Sequence, residues 1–255
     1  MEAVKQPDDV EVVDADAAVV AGEAPPSERV PLDRDRIVDT AVKFVEEQGL
    51  RELTMRRLGG VLGVEAMSLY RYVSGRDDLL DGIVERLMAG MYDDPDVLKE
   101  PRDGWQDYLQ RMAHGVRRMA IGHPQAFPLV ASRPTEAPWI RPPLRHLEGV
   151  ELFLNALITE GFSDEAAVAA YRAFTSFLLG NLLLEVSNRG ADIGPLDVID
   201  PDANEESSGS SLIEYPLVRR LGKALAEDHS MEEFEEALEQ LLDRLGLLFV
   251  PPKVT

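Results

Sequence analysis

From about residue 36 to residue 248 the apolar residues recur at spacings of three and four, and no run alternates apolar and polar for long enough to make a half-buried strand. Ile37, Ala41, Phe44 and Val45 set the pattern, which restricts the chain to an all-α fold. Punctuation then divides it. Gly49 closes the first helix, and Thr54 caps a second that carries Met55, Leu58, Val61 and Leu62 and ends at Gly63. A short third helix is expected over about 65–73. Ser74, with Asp77 three residues on, opens a long fourth through Leu79, Leu80, Ile83, Val84, Leu87 and Met88. Further helices are expected over 105–120, 148–160 and 163–186. A final helix near 230–247 carries an apolar stripe of Phe234, Leu238, Leu241, Leu242 and Leu245 with an acidic opposite face. The proline-punctuated segment 123–143 can hold at most short helices.

Charge is distributed unevenly in this chain of net charge −21. Residues 1–30 carry eight acids against Lys5 and Arg29 and read as a disordered acidic arm. A second break, about 187–211, reads as a mobile loop. In contrast, "LTMRRLGGVLGVEAMSLYRYV" (53–73) holds Arg56, Arg57 and Arg71 against only Glu65. So acidic a chain does not coat nucleic acid indiscriminately, since phosphate attraction supplies most non-specific affinity. The chain lacks cysteine, which permits a reducing compartment. Its first residues lack the basic start and apolar run of a signal peptide, and no stretch reaches the eighteen or so apolar residues that cross a bilayer. A cytoplasmic protein that engages no membrane is the expectation.

Two short helices around a Gly-containing turn, the second bearing exposed polar and aromatic residues, make a helix-turn-helix unit. Leu62, Val64, Leu69 and Val73 fall on an inward face, and Met67, Ser68, Arg71 and Tyr72 on an outward one. An Arg there can donate two bonds to guanine, and Ser or Tyr hydroxyls reach bases or phosphates. The same spacing also suits a plain helical hairpin with Tyr70 and Tyr72 packed and Arg71 solvated.

The stretch "LDRDRIVDTAVKFVEEQGLRELTMRRLGGVLGVEAMSLYRYVSGRDDLLDGIVERL" resembles the DNA-binding domain of the TetR family of transcriptional repressors, with Leu-Thr-x-Arg, Leu-Gly-Val and Leu-Tyr-x-x-Val at the family's spacings. "WQDYLQRMAHGVRRMAIGHP", "SRPTE" and "EGFSDEAAVAAYRAFTSFLLGNLLLE" are similar to the ligand-binding domain of the tetracycline repressors. The resemblance covers about residues 32–248. It implies a helix-turn-helix domain over 31–75, joined by the fourth helix to a ligand-binding and dimerisation domain over 76–250. It places Thr54, Arg56, Ala66, Met67, Ser68, Tyr70, Arg71, Tyr72 and Arg76 at DNA-contact positions. By analogy Arg56 reads a base and Tyr70 and Arg76 grip phosphates, while Ala66 to Ser68 with Arg71 and Tyr72 set sequence preference.

The resemblance implies a homodimer built through helices near 163–186 and 230–247, a near-palindromic double-stranded operator, and a repressor that a small molecule releases. The pocket departs from the tetracycline repressors. The position of their metal-binding histidine is Leu129 here, their drug-contacting asparagine and glutamine are Met112 and Phe153, and Ser176 and Leu184 replace further polar groups. Leu129 offers nothing to a hard cation, so the expected effector is lipophilic and metal-free. Its expected contacts are Trp105, Met112, His114, Val116, Phe127, Leu129, Val130, Ser132, Arg133, Trp139, Leu144, Phe153, Ser176 and Phe177. Arg133 either ends a short helix or senses the ligand. The histidines show no metal-ligand spacing, and no phosphate loop, nucleophile elbow, HExxH or dinucleotide fingerprint occurs. No enzyme activity, cofactor or metal is therefore expected. The competing reading is a helical small-molecule binder, or an enzyme, whose helix-turn-helix no longer meets DNA.

Overall fold

Asp33 starts the first helix by accepting the Arg36 N–H at 2.8 Å, a cap that satisfies one of the free donors every helix begins with. The computed structural model describes residues 31–133, 140, 146–193 and 215–249, and all regular structure among them is helical. The expected arm over 1–30, Trp139, Leu144 and the loop beyond residue 193 lie outside the described residues.

Helix α1 (Arg34–Gln48) buries Ile37, Val38, Ala41, Phe44 and Val45. It ends at Gly49, whose φ of 84° only glycine adopts without strain. A single 3₁₀ turn (Leu50–Glu52) leads to α2 (Met55–Leu62), capped by Thr54 accepting from Arg57 N at 3.2 Å and closed by left-handed Gly63. Helix α3 (Ala66–Leu69) is shorter than the spacing predicts. The Leu69 carbonyl accepts from both Tyr72 and Val73, at 2.9 and 3.1 Å, so the chain tightens and Tyr70 to Tyr72 form a turn. Helix α4 (Arg76–Tyr92) begins one residue later than expected, with Gly75 at the cap position. Ser74 instead binds Asp78 Oδ2 through its N–H at 2.7 Å and its hydroxyl at 3.1 Å, which moves the anticipated capping pair along by one residue.

Beyond these lie α5 (Trp105–Gly122), α6 (Phe127–Ser132), α7 (Leu147–Thr159) and α8 (Asp164–Asn188). Helix α8 carries through Ser187 and Asn188, where a loop was expected to begin. By length and composition alone α8 is long and apolar enough to cross a bilayer. Its neighbours explain the composition, because it packs against α5, α6, α7 and α10 (Ser230–Gly246) as a core helix. Helix α9 (Pro216–Leu225) was not anticipated. Helix α4 ties the halves together, packing on α1 and also on α5 and α6.

Close approach of α2 and α3 depends on one glycine. A Cβ on Gly59 would stand 2.9 Å from the Val64 carbonyl oxygen and 3.3 Å from the Ala66 nitrogen, and backbone cannot rotate away. Gly59→Ala should therefore cost about 1–3 kcal/mol, the usual range for overpacking, in urea unfolding. Gly60→Ala is the control: its Cβ meets nothing within 4 Å, and a better helix former there should leave stability unchanged or raise it slightly.

Candidate functional site

The turn after α2 presents one face outward. Met67 is 75% exposed, Tyr70 46% and Tyr72 40%, while Leu69 and Val73 are buried beneath them. Arg56, Arg71 and Thr54 are exposed on the same unit, and Ala66 and Ser68 are half-buried. Two of the local arginines are already engaged. Arg57 pairs with Glu52 and lies 5.2 Å from the centroid of the Phe44 ring. Arg76, expected to grip phosphate, has its guanidinium donating to the carbonyls of Leu53 at 3.2 Å and Leu50 at 3.5 Å. Arg56 and Arg71 have no acidic partner among the described residues, so the reading face has two uncommitted guanidinium groups. Arg34, which the sequence reading missed, supports this face from behind. It donates to the Tyr72 carbonyl at 3.4 Å and pairs with Asp78 at 2.8 Å. That hydrogen bond holds the Asp78 carboxyl below its usual range, with Ser74 assisting.

Behind the reading unit, α4 to α8 enclose a cavity of about 70 Å³. Helix α4 supplies Met88, Met91 and Tyr92, α5 supplies Met112, Val116 and Met119, and α6 supplies Val130. His146, Gly149, Val150 and Phe153 come from the start and body of α7, and Tyr171, Phe174, Thr175, Leu178 and Leu179 from α8. Phe153 packs edge-on to Tyr171, 5.7 Å between centroids, and tilted against Phe174 at 5.4 Å. Burial dominates the electrostatics. It pushes the Tyr92 hydroxyl up to about 12, with the charge of Glu148 adding to the effect. It likewise raises Tyr171 to about 12 and lowers His146. Tyr108, one turn before Met112, is fully buried, and its hydroxyl has no hydrogen-bond partner among the described residues.

Of the expected ligand contacts, Met112, Val116, Val130 and Phe153 converge on this cavity. The others do not, because neighbouring positions on a helix point about 100° apart. Trp105 packs edge-on against Phe162 at 5.2 Å. His114 faces α10, 3.1 Å from Glu235 Oε2, and Phe177 stacks on Phe234. Phe127 and Leu129 are buried away from the cavity wall, and Ser132 and Ser176 are exposed. Trp139 and Leu144 are outside the described residues. Arg133 caps nothing in the cavity. It reaches α4, 2.7 Å from Asp81 and 3.1 Å from Asp77. Glu185, next to the exposed Leu184, is buried and paired with Arg117 at 2.7 Å. Among the described residues no group of three or more His, Asp or Glu side chains is placed to hold a metal.

The contributions of α4, His146 and most of α8 went unread. The available signal was that the apolar spacing of α4 continues to Met91, a turn beyond what the reading unit can cover. Two more contacts join the halves. Glu46 of α1 accepts from Gln125 N at 3.2 Å and Ala126 N at 3.0 Å, at the start of α6, and burial raises its carboxyl pKa. Arg51 pairs with Asp192 beyond α8.

On the outside of α8, Ala169, Ala173, Ser176 and Gly180 recur at helical spacing and form one stripe of small, exposed or half-buried residues, followed a turn later by the exposed Leu184. A shallow groove beside its first turns is walled by Leu241, Leu245, Leu247 and Leu248, with Arg244 among them.

The family described as "Tetracyclin repressor-like, C-terminal domain" matches residues 98–247. The HTH-type transcriptional repressor DrrR1 of Streptomyces coeruleorubidus is 31% identical over 149 residues, which are 58% of this chain and 52% of that protein. The chain thus spans about half the length of that relative. A possible TetR family regulator from Streptomyces coelicolor A3(2) superposes with a TM-score of 0.64 at 28% identity, covering 85% of this chain and all of the other. The Streptomyces coelicolor TetR family protein ActR, solved in complex with (S)-DNPA, gives a TM-score of 0.60 at 25% identity over 86% of this chain and 98% of its own. With a family match over more than half its length and an all-helical architecture shared with these regulators, this chain belongs to the TetR family of transcriptional regulators.

Proposed function

We propose that the protein is a repressor that binds a near-palindromic operator as a homodimer and leaves it when a lipophilic effector enters the cavity. One observation carries the reading. At its N-terminus helix α4 holds the segment leading into α2, Arg76 donating to the Leu50 and Leu53 carbonyls, and near its C-terminus it lines the apolar cavity with Met88, Met91 and Tyr92. A ligand that displaces one end must differ in its contacts with two arrangements of the other, which is the requirement for coupling. The reading includes a DNA-reading domain over 31–75 and a ligand-binding and dimerisation domain over 76–250.

The stripe on α8 and the groove beside α10 support the dimer, since small residues let a second helix approach closely and apolar groove walls gain by burial. Two reading units would then meet half-sites about 34–36 Å apart. Among the described residues the cavity lining carries no carboxylate, which supports an effector bound without a metal bridge. ActR, solved with (S)-DNPA, is a relative with a small organic ligand.

The test is a gel shift with DNA flanking the protein's own gene at several salt concentrations. One fragment should be preferred, with affinity falling linearly on a log–log salt plot. No preferred fragment and a flat salt response would favour the helical binder whose reading unit is unused.

A further inference from the structure

One sulfur stands uncovered on the reading face. The chain has eight methionines and no cysteine, so no thiol competes with their thioethers for a two-electron oxidant. Burial separates the methionines. Met55, Met88, Met91, Met112 and Met119 are buried, while Met67 is 75% exposed and Met231 49%. Met1 lies outside the described residues. The Met231 sulfur is engaged: Arg117 donates to it at 2.9 Å and so occupies a lone pair that an oxidant would meet. Met67 therefore offers the most accessible sulfur among the described residues.

Its position gives oxidation a consequence. Met67 is the second residue of α3, on the outward side of the unit whose Leu69 and Val73 are buried. A large apolar side chain held in water gains by meeting an apolar partner, and in the major groove the thymine methyl is such a partner. Oxidation turns this flexible apolar side chain into a polar, chiral one. A sulfoxide oxygen accepts hydrogen bonds and donates none. Pressed against a methyl group it loses its water without replacement, and beside a phosphate or a base acceptor it finds no donor.

We propose that Met67 is an oxidation site, and that its conversion to the sulfoxide by a peroxide lowers operator affinity. The sulfur lone pair attacks one peroxide oxygen, and the S–O bond forms as the O–O bond breaks. The departing hydroxide takes the proton of the transferred hydroxyl and leaves as water. Sulfur gives up two electrons and the peroxide accepts them, so no further reactant is needed. This rests on the reading of the α2–α3 unit as the face that meets DNA.

The experiment treats the full chain with hydrogen peroxide, locates the added oxygen by peptide mass spectrometry, and titrates the preferred DNA fragment by fluorescence anisotropy. Each protein is compared with its own untreated sample. Met67 should be oxidised ahead of Met231 and the five buried methionines. Parent affinity should fall about tenfold, the cost of one desolvated polar group without a partner, and return after treatment with methionine sulfoxide reductase. Met67→Leu should show no response to peroxide, and Met231→Leu should respond as the parent does. Oxidation of Met231 ahead of Met67, parent affinity unchanged once Met67 is oxidised, an equal loss in treated Met67→Leu, or no loss in treated Met231→Leu would each overturn the proposal and leave the reading face standing. An untreated chain that prefers no fragment would overturn the reading of that face, and the proposal with it.

Discussion

Arg117→Met should remove about 3–5 kcal/mol of stability, the range for stranding one partner of a buried ion pair. Arg117 on α5 donates to Glu185 on α8 through Nε at 3.1 Å and a terminal nitrogen at 2.7 Å. The two side chains are only 13% and 4% exposed. The guanidinium also lies 5.4 Å from the Phe234 ring centroid and 2.9 Å from Met231 Sδ, so it joins α5, α8 and α10. Methionine keeps much of the volume but leaves Glu185 with Arg189 alone, at 3.5 Å. Urea unfolding at fixed protein concentration should show a lower midpoint with unchanged slope. The double replacement Arg117→Met with Glu185→Leu should recover most of the loss, because an apolar pair of similar volume often replaces a buried ion pair without cost. A single variant no worse than the double one would show that the ion pair is not what holds these helices.

Removing both uncommitted guanidinium groups of the reading face should nearly abolish operator preference. Arg56→Ala and Arg71→Ala should each cost about 1–3 kcal/mol of specific binding if they read base edges. Combined they should cost about 2–6 kcal/mol, since separated contacts add. Arg76→Ala should behave differently. Its donors serve the Leu50 and Leu53 carbonyls, so the variant should melt earlier while its salt slope stays that of the parent. Fluorescence anisotropy with the preferred fragment, beside melting curves, separates the three. Loss of a full unit of salt slope in Arg76→Ala would return that residue to phosphate binding.

Local signals were legible where local chemistry decides. Thr54 and Ser163 cap helices through bonds reaching only three residues ahead, and Gly49 and Gly63 end helices because of their own backbone freedom. The inward placement of Leu69 and Val73 and the outward placement of Met67 follow from helical spacing and burial. What failed depended on distant partners. The tight turn at Tyr70 to Tyr72 arises from one carbonyl accepting twice. The commitments of Arg76 and Arg133 need neighbours 23 and 52 residues away. His114 and Phe177 have the right chemistry for a pocket but lie on faces turned toward α10. His146 shows no motif in sequence, because its role comes from folding back on Gly149 beside Tyr92.

The joints between the reading unit and the helices behind it carry a consequence for hybrids made by exchanging halves between relatives. Glu46 meets backbone N–H groups at the head of α6 and would tolerate a foreign partner, since every chain but proline offers them. The joints of Arg133 with Asp77 and Asp81, and of Arg51 with Asp192, are side chain to side chain. A graft cut after α4 would carry Arg51, Asp77 and Asp81 into a host lacking their counterparts. Transplanting a new sequence preference onto a new sensor would then require Arg133 and Asp192 to travel with the graft, although neither meets the reading face or the cavity.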